Sequence, residues 1–180
     1  IIGGLSADAM TEGTRNVAVG LASMGADTKS SKNVAIGHGT LASQNNTSAT
    51  DSSNVAVGYE AGNDITTGIQ NTILGALAGD SLTDADRNTV LGFQALTTDT
   101  QGSRSTAVGF NALATQNFTS ATDSYNVAVG YGAGEVITTA TGVTLIGGLS
   151  GDSLTTGGSN VAVGSQSLSA ETGGTANVAV

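Results

Sequence analysis

The feature that most constrains this chain is a pentapeptide, NVAVG in its commonest form, that returns at a nearly fixed interval. The common spacing is 17, as from Asn16 to Asn33, and two intervals are 21, as from Asn33 to Asn54. A fixed period of this length is typical of solenoids, in which each repeat is one coil that cannot bury its apolar face alone. We name each coil by the first residue of its pentapeptide and number positions from there. The ten coils start at Asn16, Asn33, Asn54, Asn71, Asn88, Ser105, Asn126, Val143, Asn160 and Asn177.

A second, longer period groups the coils in fours, so that equivalent positions lie 72 apart, as at Asn16 and Asn88. Segments 47–51 and 119–123 both spell TSATD, and segments 54–62 and 126–134 differ at one position. We therefore expect a single repeat domain over residues 1–180, with four-coil modules at 16–87 and 88–159 and partial modules at both ends. Because the repeat runs into both ends, the chain is expected to be a slice of a longer fibre.

The second to fourth residues of the pentapeptide predict a short β-strand. They are apolar or Thr in every coil, as in Val17, Ala18 and Val19, and the outer two are mostly β-branched. An apolar run of this kind indicates a strand covered on both faces. Seventeen residues at about 3.3 Å each allow a flat coil of two facing strands and two turns. We therefore expect an all-β fold, a parallel β-solenoid of about ten coils.

A glycine closes the pentapeptide of every complete coil, which predicts a corner with a backbone conformation that other residues disfavour. With 27 Gly, no Pro and only 3% aromatic residues, small side chains must fill the core. The corner glycines are Gly20, Gly37, Gly58, Gly75, Gly92, Gly109, Gly130, Gly147 and Gly164.

One site in the core of each coil is expected to be filled from two alternative backbone positions. Some coils place a large apolar residue at position nine, as at Leu41 and Leu96. Others have Gly there, as at Gly62, and supply the bulk three positions later, as at Ile65. Because such a thin coil leaves apolar surface uncovered, identical chains around a three-fold axis, a homotrimer, are the simplest cover.

Composition argues against several functions. The chain has no Cys and a single histidine, His38, so we expect no zinc site, no catalytic triad, no cofactor and no enzymatic activity. A formal charge of −9 with few Lys and Arg residues gives no surface that could follow phosphates, so nucleic-acid binding is not expected. No apolar run is long enough to predict membrane insertion.

The pentapeptides resemble those of two related families. NVAVG and NVAIG are similar to the head repeats of trimeric autotransporter adhesins, whose fold is a left-handed parallel β-roll in an intertwined trimer. NTILGALAGDSLT at residues 71–83 and STAVGFNAL at residues 105–113 resemble still more closely the repeats of phage tail fibres and other virion structural proteins, especially of cyanophages. The resemblance implies a homotrimeric virion fibre segment that presents receptor-binding surfaces for host attachment. The alternative is a segment of a bacterial surface adhesin.

The first residue of the pentapeptide predicts a ladder of stacked side chains, with a row of glycan contacts as the alternative. The ladder residues are Asn16, Asn33, Asn54, Asn71, Asn88, Asn126, Asn160 and Asn177.

Charged residues also recur in register. The residue before the pentapeptide is basic in four coils, at Arg15, Lys32, Arg87 and Arg104. Asp27 and Asp99 occupy equivalent positions of successive four-coil modules. Together these charges predict inter-coil or inter-chain ion pairs, or a strip that binds anions.

Two further places hold candidate ligand groups. The acidic turn at Asp80, Asp84 and Asp86 is expected to be solvated, with a hard cation as the alternative. His38 shares its place in the coil with aromatic residues and is expected to be one member of a row at the coil edge. The other members of that row are Tyr59, Phe93, Phe110 and Tyr131.

The two long coils, which start at Asn33 and Ser105, offer the best candidate binding loops, at residues 43–53 and 115–125, because protruding loops on a rigid stack tolerate variation. A simple bulge is the alternative. The expected binding residues, with the first four at the loop tips, are Asn45, Asn46, Asn117, Phe118, Asp51 and Asp123. The remaining functional alternatives are a polysaccharide-cleaving solenoid, which lacks a gathered set of carboxylates here, and an ice-binding face, which needs a regular Thr array.

Overall fold

A computed structural model describes the whole chain, residues 1–180, as a stack of β-coils with no helix. Each coil contributes one short strand, and two pairs of additional short strands lie elsewhere on the stack. The strands are β1 (Val17–Val19), β2 (Ser30–Ser31), β3 (Val34–Ile36), β4 (Thr50–Asp51), β5 (Val55–Val57), β6 (Thr72–Leu74), β7 (Thr89–Leu91), β8 (Gly102–Ser103), β9 (Thr106–Val108), β10 (Thr122–Asp123), β11 (Val127–Val129), β12 (Thr144–Ile146), β13 (Val161–Val163) and β14 (Val178–Ala179).

The pentapeptide strands form one parallel ten-stranded sheet in the order β1-β3-β5-β6-β7-β9-β11-β12-β13-β14. The register never shifts: Ala18 pairs with Ala35, and Ala35 pairs with Ala56 across one of the longer intervals. Each repeat is therefore one full turn of the solenoid, and the extra residues of a long coil are accommodated elsewhere on its perimeter. The predicted parallel β-solenoid of about ten coils is confirmed.

Within a single chain, the strands of this sheet are buried on one face only. The middle residue of the strand, such as Ala18, Ile73 or Leu145, points into the coil and is fully buried. Its neighbours point outward because side chains alternate along a strand, and Val17 and Leu74 remain 44% and 46% exposed. The expectation that the coil covers both faces is therefore wrong for one chain alone.

The core is a continuous column of 26 buried residues that runs along the inside of the stack. Leu41 and Leu96 reach it from position nine, whereas Ile65 and Leu82 reach it from position twelve. In the coils of the second kind, a methyl group added at Gly79 would lie 2.9 Å from Cδ1 of Leu82. The same space is thus filled from two alternative backbone positions, as the sequence predicts.

The wall opposite the sheet is mostly turn, and the second strand expected in each coil is largely absent. Short strands form there only beside the long coils, where β4 pairs with β2 and β10 pairs with β8. The additional residues of each long coil therefore fold back along the preceding coil.

The corner glycines adopt a conformation that no other residue fits. Gly92 has φ +140°, and the other corners in complete coils lie between +128° and +144°. A Cβ on Gly92 would overlap the carbonyl oxygen of Gly109 in the next coil. Gly3 (φ +135°) is a further corner of the same kind, near the start of the chain.

Three other positions in the coil are left-handed without requiring glycine. Arg87 precedes a pentapeptide, Gln94 occupies position seven and Leu96 position nine, and their φ angles are +59°, +52° and +50°. Glycine is used interchangeably at such places, as at Gly39 with φ +64°. Each non-glycine residue in this region costs roughly 1–2 kcal/mol, so the conformation is imposed by the path of the coil.

Replacing Gly92 with Val is expected to disrupt its coil and the next one, because the side chain would collide with backbone and a β-branched residue disfavours positive φ. Gln94→Ala is the matched control, since Ala22 already occupies the equivalent position with φ +55°. Thermal unfolding of the two variants measures the difference. Equal unfolding temperatures would contradict the assignment of Gly92 as a sterically required corner.

Candidate functional site

The outward side of the ten-stranded sheet is a continuous apolar surface, which we call the sheet face. It consists of the second and fourth residues of the pentapeptides, and none of these is charged. Val, Ile, Leu and Thr succeed one another there at the spacing of the coils, about 4.8 Å. The large apolar residues that are well exposed on it are Val17, Ile36, Val55, Leu74, Leu91, Ile146, Val163 and Val178.

Beside the sheet face, just past the corner glycines, the predicted aromatic row is present. His38 stacks on Tyr59 with ring centroids 5.3 Å apart and planes inclined by 9°. Phe110 lies between Phe93 and Tyr131, at 5.6 Å and 5.3 Å respectively. The rings are exposed at their edges, so the row forms a ridge. A hydrogen bond from the Tyr59 hydroxyl to Glu60, together with the charge of that carboxylate, raises the pKa of Tyr59.

The Asn residues that start the pentapeptides are mostly buried and form a ladder, but its rungs join side chains to backbone. The amide oxygen of Asn71 accepts from the backbone N–H of Asn88, one coil further on, at 2.9 Å. Its Nδ2 donates to the carbonyl of Ala85 on the opposite wall at 2.8 Å. Such an Asn ties two coils together and also spans the width of the stack.

A second ladder, at position thirteen, was not recognised from the sequence. Thr83 Oγ1 donates to the carbonyl of Thr100 at 2.9 Å, and Thr155 Oγ1 donates to that of Thr172 at 2.8 Å. Only Asn45 and Asn117 interrupt the series of threonines, both in the long coils. Aligning position thirteen across all coils reveals the signal. These hydroxyls donate within the stack, which makes the row a structural element.

The structure contradicts the expected partners of Asp27 and Asp99. Both are fully buried and neither pairs with a basic residue. Asp99 accepts from Gln116 Nε2 at 2.5 Å and from the backbone N–H of Phe118 at 2.9 Å. Asp27 accepts from the N–H of Ser30 at 3.0 Å. These carboxylates order the turn, because buried backbone N–H groups need an acceptor.

The basic residues that form ion pairs do so with other carboxylates, all at the surface. Lys32 contacts Asp51 at 2.6 Å, and Arg104 contacts Asp123. Arg104 also lies over the ring of Tyr125, 5.4 Å from its centroid. Asp51 and Asp123, expected to be binding residues, are thus engaged in ion pairs between coils. Such pairs each contribute less than about 1 kcal/mol.

The long coils do not present the tip residues that the sequence predicted. Asn46 and Phe118 are only 7% exposed. Asn46 Nδ2 donates to Ser30 Oγ and Ser52 Oγ, both at 3.0 Å, inside the coil. Asn45 and Asn117 belong to the threonine ladder instead. The exposed tips are the neighbouring TSA segments, at residues 47–49 and 119–121.

The carboxylates of the acidic turn are each engaged locally. Asp84 Oδ1 accepts from the hydroxyls of Thr66 and Thr67 at 3.0 Å and 2.8 Å. Asp86 accepts from the N–H of Ile69 at 2.8 Å. Burial raises the pKa of Asp80, while its 2.6 Å hydrogen bond from Thr97 acts in the opposite direction. No three acidic or histidine side chains converge as a metal site.

No family model, curated protein or solved structure matches the chain. No helix in it is long and apolar enough to span a membrane. The arguments about function therefore depend on the two exposed rows, the sheet face and the aromatic row.

Replacing Asn71 with Ala is expected to lower the free energy of unfolding by about 2–4 kcal/mol, because two backbone groups lose their partners at about 1–3 kcal/mol each. Denaturant unfolding measures the loss. Gln70→Ala is the control: Gln70 is exposed, Ala176 occupies the same place in its coil, and the change is expected within about 0.5 kcal/mol. Similar losses in both variants would contradict the structural role of the ladder.

Proposed function

We propose that this chain is a structural segment of an extracellular or virion fibre, and that it associates with identical chains through the sheet face. The observation that carries the proposal is the sheet face itself, an uncharged apolar surface that runs the length of the stack. Scattered apolar residues on a surface need no explanation, but a contiguous apolar surface marks an interaction site.

The periodicity of the sheet face favours a second copy of the chain as the partner. Apolar side chains repeat on it once per coil, and the register holds over the whole sheet. A surface that packs against it along its whole length needs the same period, and an identical chain has that period. Because no charged side chain lies on the face, no charge repulsion opposes its burial.

A three-fold arrangement is supported by the resemblance to trimeric fibre repeats, and closed rotational symmetry is the rule for such assemblies. In this arrangement the three sheet faces line the axis and the turns face solvent. The exposed tips of the long coils, near Ser48 and Ser120, would then lie on the outside, where a receptor for host attachment or cell adhesion can be contacted.

A role in the virion is favoured over a bacterial surface adhesin. The observation in its favour is the coil length, because the head repeats of such adhesins are typically shorter than the coils of this chain. Both roles place the chain outside the cell and use the same rod, so the choice between them does not alter the self-association proposed above.

Sedimentation of the chain is expected to give three times its mass of 17.5 kDa. Leu91→Glu is expected to yield monomers, because three carboxylates would be brought together in an apolar interface at large desolvation cost. Thr98→Glu, at an exposed position in a turn of the same coil, is the matched control and is expected to remain trimeric.

A monomeric wild-type chain would contradict self-association through the sheet face. A dimer would overturn the three-fold arrangement alone. A trimer that survives Leu91→Glu, with circular dichroism unchanged, would show that a different surface makes the contact.

A further inference from the structure

The aromatic row lacks one ring in its interior. Reading along the stack, the residues at position six are His38, Tyr59, Ala76, Phe93, Phe110 and Tyr131. Tyr59 stacks on His38 and Phe93 stacks on Phe110, so each of the two has one ring face covered. The other faces of Tyr59 and Phe93 are turned toward the coil of Ala76. We call the space between them the Ala76 slot, defined by Tyr59, Ala76 and Phe93.

The backbone holds the two walls of the slot in register. Leu77 N–H donates to the carbonyl of Tyr59 at 2.9 Å, and Gln94 N–H donates to that of Ala76 at 3.2 Å. The same bond joins position seven to position six of the preceding coil where the rings stack, as between Asn111 and Phe93 at 3.1 Å. The slot is therefore one missing rung, two coil steps wide, in a row whose remaining rungs are fixed.

The width of the slot selects the chemistry of its occupant. Two coil steps separate the ring planes by about 9.6 Å. Carbon atoms contact favourably at about 3.5–4.0 Å, so a flat aromatic guest can touch only one wall at a time. A saturated six-membered ring is thicker, because its axial C–H groups project from both faces, and it can contact both walls together.

We propose that the Ala76 slot binds a pyranose ring, with the C–H groups of its two faces against Tyr59 and Phe93. The two walls are 51% and 44% exposed, so they are accessible from solvent. Polar groups lie at the rim: Glu60, whose carboxylate neighbours the Tyr59 hydroxyl, and Gln94 each follow a wall residue directly. Carboxylate and amide groups accept and donate the hydrogen bonds that sugar hydroxyls offer.

The slot favours sugars with axial hydrogens on both faces, since an axial hydroxyl would separate the ring from one wall. A β-glucopyranose carries axial hydrogens on both faces, whereas the axial C2 hydroxyl of a mannopyranose projects from one. The slot occurs once in the chain. After Tyr131 the row continues with Gly148 and Ser165, so a second wall is missing there.

The test is saturation-transfer NMR on the full chain in its native oligomeric state, with methyl β-D-glucopyranoside as the probe. Methyl α-D-mannopyranoside and indole serve as comparison probes. We expect transfer to the axial protons of the glucoside, with weaker transfer to the mannoside. Ala76→Phe is expected to abolish glucoside transfer by supplying the missing ring, while thermal stability is kept or raised.

Gly148→Phe is the matched control. It adds a ring at the far end of the row, where a Cβ meets nothing closer than 4.0 Å, and leaves the slot open. Glucoside transfer that persists in Ala76→Phe, or no transfer in the wild type, would overturn the proposal. Indole transfer that exceeds glucoside transfer and disappears in Ala76→Phe would overturn the ligand class. Because both variants leave the sheet face intact, their outcome is independent of the sedimentation result.

Discussion

The structure depends on the in-register hydrogen bonding of each coil to the next. Every coil repeats the path of its neighbour, so the backbone groups of one position meet those of the same position one coil away. Close approach at the corner leaves no room for a Cβ, since at Gly58 it would collide with the carbonyl of Gly75. Left-handed backbone at Arg87 or Leu96 costs free energy locally. That cost is tolerated because altering one corner would break the ladder on both sides.

The thinness of the coil explains why so many of its buried groups are polar. A column of Ala and single Leu or Ile residues cannot fill the interior at the turns, where carbonyl and N–H groups of the path point inward. Asn71 satisfies a donor and an acceptor on opposite walls, and Asp99 satisfies two N–H groups and one side-chain amide. Buried polar side chains therefore replace the second sheet that a thicker solenoid would have.

The sequence predicted those features that follow from the period. Equal spacing requires equivalent residues to stack, and the parallel sheet, the glycine corners and the aromatic row all follow from that requirement. It did not predict burial in the irregular stretches, because burial there depends on where the turn passes. Asn46 and Phe118 follow the ladder position by one residue and turn inward, and the exposed tip lies just beyond them. Asp27 looked like a surface charge because sequence shows the identity of a residue but not the unpaired N–H groups around it. The left-handed backbone at Gln94 carries no sequence signal at all, since no glycine marks it.

A periodic surface also limits what each part of the molecule can recognise. A row that repeats once per coil, such as the sheet face, offers every partner the same contact many times, and only a partner of equal period can use all of them. A discrete ligand needs a place that differs from its neighbours, because otherwise it would bind in many equivalent registers with no preferred one. In this chain the regular row is apolar and long, whereas the departures from it, the missing ring at Ala76 and the exposed tips of the long coils, are local and partly polar. The regular surface is therefore suited to assembly, and the interruptions of the period are suited to selective binding.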